Sequence, residues 1–310
     1  MIMSRRRGFT MVELMIGLIL TLAVGGVAYE MLLRSNRVTR AQSEHIGVQE
    51  NVRSGALIVT NELREVGYDV ISADASAALG GYAPATRTDL VQINPSFVRY
   101  HATRGLGFVC QVTTAAPATV VVRRDTWQEL RTPQPVRDTL MLYVENAPNT
   151  AKDDAWVHLG IVAAPSNQNC GAVPGLAFQV AAPAGLVLAT ALNAVVIGGP
   201  ARVTEVMRME HYVDAADGKP YLGMRSESGG ELQPQPLVGP LAANGGATPG
   251  LLFEYLDGND AATAVLGNVR VIRVTLRGVT DEAVYGSRTN LPTLDTLGIT
   301  TRVALRNTLR

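Results

Sequence analysis

Lysine is nearly missing from this chain: Lys152 and Lys219 are the only two, and arginine supplies every other basic residue. No function follows from that alone. Basic and acidic residues balance at 27 each, so nothing marks the chain as a whole as a nucleic-acid binder. Aromatics make up 5% of the residues, too few for a platform that stacks single-stranded bases. There is no CxxC pair and no closely spaced histidine pair, which argues against a zinc site. GxSxG, HExxH and a phosphate-binding Walker loop are absent. Gly105-Leu-Gly-Phe begins like a dinucleotide fingerprint, but it lacks the last glycine and a following helix and reads as part of a strand. With no such site, neither an enzyme nor a cofactor is expected. Proline is missing too, from Met1 all the way to Pro84. That absence leaves room for one very long helix.

The stretch Arg5 to Leu33 organises the rest. It opens on three arginines and Gly8. Phe9 to Leu33 then runs 25 residues with only two charged side chains, Glu13 and Glu30. As a helix this run is about 37 Å long, enough to cross a hydrocarbon core of about 30 Å with some tilt. Glu13 lies one turn into the apolar run. A carboxylate at the centre of a membrane helix costs about 2.5–3.5 kcal/mol, and such residues have a partner or a function. No Lys, Arg or His lies between Phe9 and Leu33 to neutralise it. Cleavage after Gly8 would create a cation, because Phe9 would then carry a free α-amino group one turn from Glu13.

These residues resemble a known family. Arg5-Arg6-Arg7-Gly8 followed by Phe9-Thr10-Met11-Val12-Glu13-Leu14 looks like the class III leader of type IV pilins and type II secretion pseudopilins. The resemblance implies that a prepilin peptidase cuts between Gly8 and Phe9 and methylates the new amine of Phe9. It also implies that Glu13 pairs with the N-terminus of an adjacent subunit. Arginine counts tie at three on each flank of the apolar run, so charge alone does not orient the helix. The resemblance does, placing the C-terminal bulk in the periplasm and the helix in the inner membrane as a single pass. Members of the family often carry a proline at the place of Glu30; this chain does not. Gly25-Gly26 offers a soft point in its stead.

Beyond Arg34 the helix continues. Val38, Ala41, His45, Val48, Val52, Ala56, Val59, Leu63 and Val66 recur in steps of three and four, an apolar stripe on one face. One helix is expected from Phe9 to Gly67, with Gly67 as its C-cap and His45 buried on the stripe. An isolated coiled-coil dimer would show the same stripe. Asp69 to Thr88 reads as a loop. Short β runs follow: Leu90–Ile93, Phe97–Tyr100, Gly107–Val112, Thr119–Arg123, Thr139–Val144 as a central strand, Ala155–Val162, then Leu186–Ile197 as strand or short helix. Asn167 to Gly171 reads as a turn. Val203–Val213 and Lys219–Arg225 form a hairpin around Asp217-Gly218. Leu251–Leu256 and Val269–Arg277 follow, the latter with a bulge at Val271-Ile272. Glu227–Pro249 and Gly278–Asp295 read as long loops. Ile299, Thr301, Val303 and Leu305 share one face of a closing strand. The acidic turns Asp214–Asp217 and Asp257–Asp260 are calcium candidates, but neither matches an EF-hand loop, and carboxylates are common in turns for turn reasons.

The expected class is α+β. A cleaved leader, 1–8, precedes a membrane-spanning half-helix, 9–33, an amphipathic half, 34–67, and a periplasmic β-rich domain, 68–310. The β-rich domain and closing strand resemble PilW-type minor pilins, with J-type pseudopilins close behind. The function implied is that of a minor pilin in type IV pilus assembly, at or near the filament tip; the alternatives are a minor pseudopilin of type II secretion, or a tip adhesin or DNA-uptake subunit. Implied partners are the prepilin peptidase, other major and minor pilins through the N-terminal helix, and the inner-membrane assembly platform. For DNA uptake the only basic cluster is Arg270, Arg273, Arg277, Arg302 and Arg306, which a solvated sheet face explains equally well. In an exported domain the even pair Cys110 and Cys170 permits a disulfide, worth about 4 kcal/mol for a loop of about 60 residues; the alternative is two separate buried thiols.

Overall fold

The computed structural model describes residues 10–64, 66, 71–82, 89–285 and 292–305. Phe9, Gly67 and, within the Asp69–Thr88 region, residues 69–70 and 83–88 lie outside them. The long helix α1 runs unbroken over Met11–Arg64, 54 residues and about 80 Å. Within the expected loop sits a short helix, α2 (Ala73–Ala78), capped by Ser72 Oγ, which accepts from Ala75 N at 3.0 Å.

Strands follow in the order β1 (Leu90–Asn94), β2 (Phe97–Thr113), β3 (Thr119–Arg123), β4 (Gln128–Glu129), β5 (Thr139–Val144), β6 (Ala155–Ile161), β7 (Ser166–Cys170) and β8 (Val173–Ala181). After α3 (Leu188–Asn193) come β9 (Pro200–Val213), β10 (Pro220–Ser226), β11 (Gln235–Val238), β12 (Leu251–Leu256), β13 (Val271–Val279), β14 (Val284–Tyr285), β15 (Pro292–Thr293) and β16 (Thr296–Ala304).

Six antiparallel strands close on themselves: β2 pairs β3, β3 pairs β8, β8 pairs β6, β6 pairs β5, β5 pairs β9, and β9 returns to β2. Closure removes the free edges of those strands where they pair. Its interior is filled by Leu140, Leu142, Val157, Leu159, Phe178 and Val203. Across the end where β5 finishes lies α3, through Val144 and Val195. A second core forms where β2 and β9 run on past the barrel. There Val98, Tyr100, Met207 and Met209 meet Val52, Val59 and Leu63 of α1, and Val274, Leu276 and Val303 of the three-stranded sheet β12-β13-β16. From Val48 onward the stripe of α1 is thus covered by this chain's own domain.

At the junction of the two cores lies Glu205, only 4% exposed. It is held by Ser226 Oγ at 2.6 Å, Arg137 at 2.8 Å, Arg131 at 2.9 Å, and Arg104. Arg131 also grips the buried Asp138 with two bonds of 2.6 Å. Burial alone would raise the Glu205 carboxyl. The hydrogen bonds from Ser226, Arg104 and Arg137 outweigh that and bring its pKa down to about 2. Arg104 reaches this position because it is the extra residue of a bulge: Thr103 pairs Thr204 and Gly105 pairs Val203, which leaves Arg104 unmatched.

Several sequence expectations change. No register shift occurs at Val271-Ile272, since β13 pairs continuously with both neighbours; a 3-10 turn at Leu266–Asn268 precedes the strand. Register shifts sit instead in β2, at Arg104 and at Cys110, in β1 at Val91 and in β11 at Leu237. Asn167–Cys170 is strand β7, drawn straight by its pairing with β8. The Glu227–Pro249 connection contains β11. The Gly278–Asp295 stretch begins as the end of β13 and holds the β14–β15 pair. His45 is not a core residue. Its side chain is half exposed, with Nε2 3.4 Å from Asp295, because the domain first covers α1 at Val48.

Two glycines set how closely helix and sheet approach. A Cβ at Gly278 would stand 2.5 Å from Val52 and 3.0 Å from Val48; one at Gly55 would stand 2.8 Å from Val238. Gly278→Val is therefore expected to destabilise the docked helix by about 1–3 kcal/mol. The denaturant midpoint of full-length protein in detergent measures this; an unchanged midpoint would mean that α1 does not rest there.

Candidate assembly site on the N-terminal helix

The helix begins with a reciprocal cap. Glu13 N donates to Thr10 Oγ1 at 3.2 Å, and Thr10 N donates to Glu13 Oε2 at 3.4 Å. This is a capping box, and Thr10-x-x-Glu13 before an apolar run is its sequence signature. Sequence reading for a missing cation passed over it. Glu13 thus has a local task, fixing the first turn with one oxygen, while Oε1 makes no bond among the described residues.

From Met11 to Leu32 the large apolar side chains are all exposed; Leu22, for example, is 67% exposed. No other described part of the chain lies on this half. It is the one helix among the described residues long and apolar enough to cross a membrane. Such a surface is stable only in lipid or against other apolar helices. Its polar groups are turned inward: Thr21 Oγ1 donates to Gly17 O at 2.7 Å. Glu30, the second acid, pairs with Arg34 at 2.6 Å one turn on.

The other half of α1 is fixed by polar contacts around its buried stripe. Arg40 meets Glu282 at 2.8 Å. Glu44 accepts from the backbone N–H groups of Asp281 at 2.9 Å and Glu282 at 3.3 Å. Asn51 donates to Gly239 O at 3.1 Å. Near the far end Tyr100 donates to Glu62 at 3.1 Å; burial, then the Glu62 charge, hold that phenol well above its usual range. Half of the helix is therefore rigid with the domain and half projects from it.

Residues 3–29 match the family model of the prokaryotic N-terminal methylation motif. The N-terminus is therefore type IV pilin-like. The motif spans residues 3–8 of the expected leader, the expected cut between Gly8 and Phe9, the Thr10–Glu13 cap and most of the projecting half. A motif of this kind implies processing by a prepilin peptidase and association between pilin-type helices in general. No curated protein and no solved structure matches the chain.

Of the other residues singled out from sequence, Gly8 and Phe9 lie outside the described residues. Cys110 and Cys170 are joined as a disulfide with Cα atoms 6.0 Å apart, tying β7 to the bulge of β2. The C-terminal arginines are engaged with neighbours: Arg273 with Glu254 at 3.3 Å, Arg302 with Asp260, Arg277 with Pro249 O at 3.1 Å and Arg270 with Gly267 O at 2.8 Å. Arg306 lies outside the described residues. In the acidic turns, Asp257 Oδ1 accepts from Asn259 N and Ala261 N, and Asp214 Oδ1 accepts from Ala216 N. These are turn-forming bonds.

Proposed function

We propose that this chain is a minor pilin of the PilW type, a non-enzymatic subunit that helps to prime a type IV pilus. A prepilin peptidase cuts after Gly8 and methylates Phe9. The helix holds the protein in the inner membrane with its β-rich domain in the periplasm. The exposed half of α1 then leaves lipid for the filament, meeting other major and minor pilins on the assembly platform. The observation that carries this reading is the division of α1: residues from Val48 onward are fused to a large domain, while Met11 to Leu32, with the methylation motif at its start, are left uncovered. The work is mechanical. Helices pack, one carboxylate finds an amine, and the domain selects its neighbours. Glu13 favours a place below the terminal subunit, since tip-most pseudopilins typically lack that carboxylate.

N-terminal analysis and intact mass of membrane-extracted protein test the reading. The expected mature chain begins at a methylated Phe9. A species retaining Met1–Gly8 in cells with an active peptidase would overturn it. Deletion of the gene is expected to reduce surface pili; loss of protein secretion with intact pili would assign the chain to a type II secretion pseudopilus instead.

A further inference from the structure

The sheet edges of this chain are not treated alike. On β11 the edge carries Pro236, β4 is two residues long, and β7 is the polar run Ser-Asn-Gln-Asn. At β12 the edge is occupied, since Phe253 N donates to Pro95 O and Leu251 N to Asn244 Oδ1. The edge of β16 has none of these devices. It is nine residues long, Thr-Leu-Gly-Ile-Thr-Thr-Arg-Val-Ala, with no proline and no lysine. It pairs with β13 in continuous register on one side and with no described strand on the other. Leu297 is 42% exposed and Ile299 is 36% exposed, on the face that turns toward α1. Leu57, three residues before Thr60 and so on the same flank of α1, is exposed as well. Natural proteins block long, regular edges because they template pairing with another chain.

The direction of β16 decides what kind of chain fits. Val48 and Val52 of α1 lie against Gly278, which pairs Leu297. Gly55 lies against Leu276, which pairs Ile299, and the Thr60 hydroxyl is 3.5 Å from that of Thr301. So β16 runs the same way as α1. A two-fold dimer joining like edges antiparallel would point its two α1 helices in opposite directions, which two helices rooted in one membrane cannot do. A parallel joint of like edges would set the two apolar rows on opposite faces, so that neither covers Leu297 and Ile299 of the other. A second copy joined edge to edge through its own β16 therefore does not fit.

We infer that the edge of β16 left unpaired among the described residues receives an extended strand from a different pilin-type subunit of the same assembly. The incoming strand adds to the β12-β13-β16 sheet by backbone hydrogen bonds, and its alternate apolar residues cover Leu297, Ile299 and Leu57. The edge lies beside residues 48–60 of the same helix whose first half projects, so a subunit whose helix packs along α1 brings its own domain to this flank. The identity of the partner as a filament subunit rests on the function proposed above; the availability of the edge does not.

The test uses the full chain in its own membrane, expressed with the other pilin subunits, carrying a photo-crosslinking side chain at Thr300, at Val24 or, as control, at Asn259. The expected result is an adduct at Thr300 with a second, different pilin-type chain, mapped to an extended segment, and none at Asn259. Amide exchange over Thr296–Ala304 should slow at least tenfold on assembly, the factor equivalent to about 1.4 kcal/mol. Leu297→Lys, an inward-pointing charge on the edge, should abolish both signals while leaving the thermal midpoint of the isolated protein unchanged. An adduct at Thr300 with a second copy overturns the inference. So does crosslinking at Val24 without adduct or slowed exchange at β16, which leaves the assembly reading standing. Silence at both Thr300 and Val24 in an unprocessed chain overturns both.

Discussion

Glu13→Ala is expected to insert into the membrane at normal levels and to vanish from sheared filaments. Insertion survives because the substitution removes a charge from an apolar helix, relieving a cost that reaches about 2.5–3.5 kcal/mol at a helix centre and is smaller one turn in. Assembly fails because the alanine offers nothing to the Phe9 amine of a neighbour, a cation that proteolysis places at the start of the helix. The capping box complicates the usual interpretation, since Ala also deletes the acceptor for Thr10 N–H. Loss of such a cap is worth about 1 kcal/mol and frays the first turn. Glu13→Gln separates the two effects. Glutamine serves at the third position of a capping box, so the turn is retained while the charge is lost. If the carboxylate acts through its charge, Glu13→Gln is excluded from filaments as fully as Glu13→Ala. Immunoblots of membrane and sheared-filament fractions read this directly. Normal incorporation of the glutamine variant would show that the local cap is all that Glu13 provides.

The second large effect belongs to Glu205. Truncation to alanine removes the carboxylate shared by Arg104, Arg131 and Arg137 and leaves Ser226 without its acceptor. Breaking a buried ion pair from one side costs about 3–5 kcal/mol; here Arg104 loses its carboxylate partner, while Arg131 keeps Asp138. The site joins the barrel to the helix-covered sheet, so both cores should loosen together. Acidification has the same target. Held at about 2 in the fold against roughly 4.3 in an unfolded chain, the Glu205 carboxylate contributes stability that is complete above the unfolded value. That contribution, on the order of 3 kcal/mol, is lost as pH falls through the folded value of about 2. Denaturant midpoints of the full chain in detergent, taken between pH 6 and pH 2, should fall steeply for the native protein and less steeply for Glu205→Ala. Equal slopes would mean that other carboxylates dominate acid unfolding.

The contrast between these two residues follows from where their partners lie in the chain. Thr10, Glu13 and the apolar run are neighbours along one helix, so a period of 3.6 and the absence of proline are enough to place them. The same holds for the stripe from Val48 to Val66, and for the hairpin of β9 and β10, whose turn residues are local. Glu205 meets Arg104 and Arg131 from positions 101 and 74 residues away. No local period signals such a meeting, and the bulge that aims Arg104 appears only once β2 is laid beside β9.

Residue order alone specifies a long helix with a methylation-type start, an acid one turn in, an apolar first half and a β-rich remainder. Contacts between distant segments were needed to establish that the strands close into a barrel, that Cys110 reaches Cys170, that His45 stays half exposed while Val48 is buried, and that β16 pairs on one side only among the described residues. Helical features are written in neighbouring residues. Strand order, closure and edge exposure depend on which distant segments pair, and one alternating pattern of side chains is compatible with many pairings.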